Sequence, residues 1–145
     1  MREILFRGKA INRDKREYRT DYKNGDWVYG LLMKKYDPQF ERLPAEMSNE
    51  SGVTGIEVDY KTIGQYVGIV DKNGDKIFED DIVKVKYINC GESLEDIIVV
   101  DHDSVTGGYS PFTWKSECVG CDCSLSIVDV EIIGNIYDNP ELLTK

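Results

Sequence analysis

The chain has 145 residues, a formal net charge of −9, 41% hydrophobic and 31% charged residues, nine Tyr and four Cys. That length suits one domain or two small subdomains sharing a core, and the apolar content argues against wholesale disorder. No run approaches the roughly 18 apolar residues of a membrane span, and Met1-Arg2-Glu3-Ile4 opens no secretory leader, so a cytoplasmic protein with reduced thiols is expected.

Glu3-Ile4-Leu5-Phe6-Arg7-Gly8 alternates charge with apolar bulk and predicts a half-buried strand that Gly8 can end or bulge. Ile11 to Tyr22 is polar and basic, and reads as an exposed turn or hairpin. Asn24-Gly25-Asp26 marks a turn into the aromatic and branched strand Trp27-Val28-Tyr29-Gly30-Leu31-Leu32-Met33. Asp37 to Gly55, with Pro38 and Pro44, shows no sustained period and is the best candidate for a long mobile loop.

From Thr62 the pattern sharpens. Ile63, Val67 and Ile69 share a face, Asp71-Lys72-Asn73-Gly74 supplies a turn, and a second strand follows. After Glu79-Asp80-Asp81 comes a strand with Val83, Val85 and Tyr87 on one side and Lys84 and Lys86 on the other. Asp96 to Val100 reads as a more fully buried strand. Val128, Val130 and Ile132 alternate with Asp129 and Glu131 in another. His102 to Ser126 carries Gly and Cys without a clear period, and Asn139-Pro140-Glu141-Leu142-Leu143 predicts one helical turn with Asn139 as N-cap.

Charge is segregated. Residues 2 to 19 hold seven Lys/Arg against Glu3, Asp14 and Glu17, whereas Glu92 to Glu131 hold nine carboxylates against Lys115 alone. The acidic stretch repels a phosphate backbone over a Debye length of about 8 to 10 Å, so any nucleic acid would meet the N-terminal third.

Four stretches together resemble the YopX family of phage and prophage proteins. They are residues 1–9 (MREILFRGK), 25–30 (GDWVYG), 62–68 (TIGQYVG) continuing through Asp71-Lys72-Asn73-Gly74 to Asp81-Ile82-Val83-Lys84-Val85, and 133–143 (IGNIYDNPELL). The resemblance implies a mainly β fold of two small barrel-like subdomains, about 1–60 and 61–145 of a single YopX-like domain, the second SH3-like. It implies no established activity and transfers no catalytic or binding residue. Asp80 departs from the family pattern, which has Gly there; Gly permits a tight diverging turn, and Asp enters left-handed geometry at moderate cost. The stretch Cys118 to Cys123 also lies outside that pattern.

Candidate chemistry is sparse. Cys90, Cys118, Cys121, Cys123 and His102 offer soft donors for zinc, but paired C-x-x-C knuckles are missing and free thiols are the simpler reading. Glu117 and Asp122 disfavour a reactive thiolate at Cys118 or Cys121. Asp71-x-Asn73-Gly74-Asp75 lacks the spacing of a calcium loop and fits a hairpin turn. Glu79, Asp80 and Asp81 read as a solvated cluster at the start of a strand, and His102 as a surface loop residue. Gly64 and Gly68 are followed by no lysine that would make a phosphate cradle. Trp27, Tyr29, Tyr66 and Tyr87 could stack bases, yet at strand spacing they read better as core.

The leading expectation is therefore a non-enzymatic accessory protein that binds a host or phage protein through a barrel edge or its acidic surface, with no cofactor, no metal and a homo-oligomer as an option. The alternative is a nucleic-acid module placing Arg7, Lys9, Arg13, Lys15, Arg16 and Arg19 on phosphates with Trp27 or Tyr66 stacking.

Overall fold

The computed structural model describes residues 4–11, 22–34, 45–102, 107–114 and 125–143. The chain is mainly β, its strands forming two antiparallel sheets, and it divides into two compact units, residues 1–66 and 67–145. The division falls inside a strand, β5 (Gly64–Val70).

In the first unit β1 (Phe6–Lys9), β2 (Trp27–Lys34), β3 (Ala45–Asn49) and β4 (Ile56–Val58) lie in the order β4-β3-β2-β1, with the start of β5 beside β1. Val28, Ala45, Met47, Ile56 and Val58 bury the inner face, joined by Phe6, Leu32 and Ile63. The long loop expected over 37–55 is corrected in its second half. Ala45 and Met47 alternate with Glu46 and Ser48, and this short period of two makes β3 once β2 supplies a partner. Positions 37–44 lie outside the described residues, as does nearly all of the basic segment 11–22.

Gly8 neither ends nor bulges β1. It is buried in mid-strand, where a Cβ would sit 3.2 Å from Val58 and 3.3 Å from Ile63 and Met47. Gly30 is more constrained, because a Cβ there would collide with the backbone carbonyl of Ser48 on β3. After β4, Asp59 caps a 3-10 turn at Tyr60–Thr62, and the Thr62 hydroxyl accepts from the Lys9 amide at 2.8 Å.

In the second unit the rest of β5 leads through Asp71–Asp75 into β6 (Lys76–Phe78), and β7 (Asp81–Asn89) is flanked by β8 (Glu92–Val99) and β9 (Leu125–Asn135). Val67, Ile77, Val83, Val85, Val100 and Val130 form its core, covered by Tyr87, Phe112 and Trp114, with Trp114 edge-on to Tyr87 at 5.3 Å. Lys84 and Lys86 face away from that core, as their alternation predicts.

Two strands differ from expectation. β8 is an edge strand, exposed from Glu92 through Ile97; of the apolar run expected to be buried, Ile97 is exposed, Ile98 and Val99 are half-buried and Val100, just past the strand, lies fully in the core. Ile97 pairs with Lys84 and so lies on the face turned away from the core, whereas Leu94, opposite Tyr87 near the hairpin end, is 38% exposed. On β9 a bulge opposite Lys86 and Tyr87 turns Val128 outward, away from the face of Val130 and Ile132. The β7–β8 hairpin turns at Cys90 and Gly91 with φ of 52° and 82°, the positive pair that a tight two-residue hairpin requires. The final 3-10 turn spans Pro140–Leu143, with the Leu142 amide donating to the Asn139 carbonyl. Among the described residues neither sheet closes into a barrel.

Candidate functional site

Antiparallel pairing of β1 with β2 sets Lys9 opposite Trp27 and Arg7 opposite Tyr29, so the four side chains share the outer face of the first sheet. The Arg7 guanidinium carbon lies 4.6 Å from the Trp27 ring centroid and the Lys9 ammonium 5.4 Å from it, both within cation–π range. Arg7 is only 5% exposed, so its charge is spent inside the protein. Tyr66 is 8% exposed and offers no open ring face to a base. Of the residues considered for phosphate contact or stacking, Arg7, Lys9 and Trp27 thus come together and Tyr66 does not join an exposed platform. Arg13, Lys15, Arg16 and Arg19 lie outside the described residues.

Further along β2, Tyr29, Leu31 and Met33 continue the same face at 40%, 53% and 57% exposure. The continuous apolar run of β2 concealed this: Val28, Gly30 and Leu32 face the interior, and their neighbours face out. The signal was the period of two within an unbroken hydrophobic stretch, which one-sided burial leaves half exposed.

The acidic residues of the second unit divide by role. Asp71 is buried in the β5–β6 turn. Its Oδ1 accepts from the Asn73 and Asp75 amides, both at 2.9 Å, and its Oδ2 accepts from the Ile132 amide of β9 at 3.1 Å. Burial pushes its pKa up, but the Ile132, Asp75 and Asn73 amides and the charge of Lys72 outweigh this and hold it below the ordinary carboxylate value. Its acceptor capacity is spent on backbone, and the segment is a hairpin turn.

Asp81 corrects the reading of Glu79, Asp80 and Asp81 as a solvated cluster. It is 2% exposed, and its carboxylate accepts from the Phe78 amide at 2.8 Å, closing the tight turn between β6 and β7. Asp80 takes φ of 71° and accepts from the Tyr137 hydroxyl at 2.8 Å. Nearby, Asn135 Oδ1 accepts from the Tyr137 and Asp138 amides, and Gly134 is needed because a Cβ would press on Asn139 at 2.6 Å. The residues that carry the family resemblance at 71–81 and 133–139 are those that knit this turn system together.

Part of the negative charge is neutralised locally. Lys84 pairs with Glu95 at 3.1 Å and Lys72 with Glu131 at 3.0 Å. Glu92 and Asp96 remain on the open edge strand, Asp96 accepting from the Tyr87 hydroxyl at 2.6 Å, which raises the Tyr87 pKa. Cys90 is exposed in its turn, and His102 stands edge-on to Tyr109 at 5.5 Å. Cys118, Cys121 and Cys123 lie outside the described residues; among those described, no three His, Cys, Asp or Glu side chains gather as a metal site. Nor is any described helix long and apolar enough to cross a membrane.

No curated protein and no solved structure gives a significant match to the chain. The family model of the YopX protein matches residues 10–144, nearly the whole sequence. With its C-terminal motif built into the turn system around Asp80, the chain belongs to the YopX family.

Proposed function

We propose that this YopX-family chain is a non-enzymatic phage or prophage accessory protein that works in the bacterial cytoplasm by binding a host or phage protein, with β8 as the contact. The observation that carries this is the edge strand β8 of the β8-β7-β9 sheet, which among the described residues pairs with β7 alone. β8 runs for eight residues, is exposed over Glu92 to Ile97, and presents Glu92, Glu95 and Asp96 beside the apolar Leu94 and Ile97.

An edge strand offers backbone donors and acceptors to an extended segment of a partner, and alternate side chains supply selectivity. The carboxylates would steer a basic segment to that edge and disfavour an acidic one. The wider arrangement is in keeping with this role. Asp71, Asp80 and Asp81 hydrogen-bond within the fold, so these carboxylates serve as structural clamps. The SH3-like character that the resemblance implies for the second unit would suit a peptide-binding module; five strands, β5 to β9, lie in that unit wholly or in part.

Co-purification of the tagged chain from its bacterial host, with nuclease, at low and moderate salt, tests the proposal. A nuclease-resistant stoichiometric protein partner, retained by the wild type and lost on Ile97→Lys, is the expected result. Nucleic acid recovered only at low salt, with no protein partner, would replace the proposal with the nucleic-acid module.

A further inference from the structure

We propose that the two faces of β8 select different side chains, so that its partner is an extended segment with basic residues on one face only; this rests on β8 being the contact strand. The β7–β8 register sorts the strand. Glu92, Leu94 and Asp96 stand opposite Asn89, Tyr87 and Val85, on the side of the sheet that carries the core. Ser93, Glu95 and Ile97 stand opposite Ile88, Lys86 and Lys84, on the outer side.

The carboxylates of the two sides differ in what they already hold. On the outer side Glu95 pairs with Lys84 at 3.1 Å, so its charge is met within the chain. On the core side Asp96 accepts from the Tyr87 hydroxyl at 2.6 Å, a neutral donor, and among the described residues no cation pairs with Asp96 or Glu92. The core reaches Ile98 on this strand and stops there, leaving Asp96 and Glu92 exposed on what is otherwise the inner face. A cation set against Asp96 would also lie beside the Tyr87 ring, which Trp114 meets edge-on.

The pattern of the partner follows from this. A strand added antiparallel, the direction of both pairings of β7, meets Ile97 first and Glu92 last, and its side chains alternate between the faces. Lys or Arg is favoured at its second and sixth positions, against Asp96 and Glu92. Apolar residues suit its first and fourth, against Ile97 and Leu94, and the third meets Glu95, whose charge is already paired. A second copy of β8 does not fit. Two-fold pairing centred on Leu94 sets Glu92 against Asp96, and pairing centred on Glu95 or Asp96 sets that carboxylate against its own copy, each a contact of like charges.

Two labelled peptides of one composition, titrated into the full chain at low salt and followed by fluorescence anisotropy, test this. SVKTLTKS carries Lys at the second and sixth partner positions, counted from its Val, and SVTKLKTS carries Lys at the third and fifth. The first should bind about tenfold more tightly or better. The chain carrying Glu92→Lys and Asp96→Lys should lose that preference and instead bind SVETLTES, a rescue that a misfolded variant would not show. Equal binding of the two lysine peptides, binding of neither, or failure of the rescue would overturn the proposal. Such a failure, with the co-purified protein partner still lost on Ile97→Lys, removes the face selectivity alone; a partner retained by Ile97→Lys removes the β8 contact itself.

Discussion

The Tyr137 hydroxyl donates to the Asp80 carboxylate at 2.8 Å, and Asp80 is held in the left-handed region at φ 71° where it does so. The Ile136 amide donates to the Asp80 carbonyl and the Asp80 amide to that of Val100, so one residue ties the turn before β7 to the segments that follow β8 and β9. Left-handed geometry costs an L residue about 1 to 2 kcal/mol, less for Asp, and a hydrogen bond to a charged group returns about 1.5 to 3 kcal/mol. Tyr137→Phe should therefore destabilise the protein by about 1 to 2 kcal/mol. Asp80→Gly should be close to neutral in the wild type and stabilising in the Tyr137→Phe background. Urea unfolding of the four proteins as a double-mutant cycle checks this, and additive effects would remove the coupling.

Asp71 makes stability depend on pH. Its folded pKa is depressed by the Ile132, Asp75 and Asn73 amides against the opposing effect of burial, so its contribution is present above the unfolded carboxylate value and fades as pH falls through the lower folded one. Asp71→Asn should cost about 1 to 3 kcal/mol near neutrality, because the amide NH2 must then face a backbone donor. Unfolding measured from pH 7 down to pH 3 should show the two proteins converging at the acid end; a constant gap would contradict this.

Gly30 and Gly8 separate two reasons for glycine in a strand. At Gly30 the obstacle is the Ser48 backbone carbonyl, which can move only if β2 and β3 part. At Gly8 the obstacles are side chains, including the Met47 sulfur at 3.3 Å, and Met repacks readily. Gly30→Ala should cost about 3 kcal/mol or more, and Gly8→Ala about 1 to 2 kcal/mol, by thermal or urea unfolding. The reverse order would mean that the close β2–β3 approach is misplaced.

Tyr87 should ionise at higher pH than an ordinary tyrosine, because its hydrogen bond to Asp96, then burial and the Asp96 charge, all favour the neutral phenol. Asp96→Asn should bring that titration back down, as read from tyrosinate absorbance. An unchanged profile would contradict the contact.

Much of the strand pattern was legible because alternation decides which face is buried. Val83, Val85 and Tyr87 against Lys84 and Lys86 is the plainest instance, and Asp80 as the left-handed substitute for Gly is another. What escaped is what alternation alone does not encode. Whether β8 is central or edge depends on how many strands pair with it, which its own residues do not state. The bulge at Val128 shifts the period by one residue, and the burial of Asp81 depends on the Phe78 amide that its carboxylate accepts from. On β2, hydrophobic residues on both faces hid the difference between a buried strand and one with an exposed apolar ladder. The Arg7–Trp27 contact needed the β1–β2 register, set by residues some twenty positions apart.

The most direct measurement is hydrogen–deuterium exchange of the chain alone and bound to its co-purified protein partner. The account predicts that amides of β8, Glu92–Val99, gain protection on binding, the open edge having become paired. Unchanged exchange along β8, with protection gained only in the first unit, would contradict it.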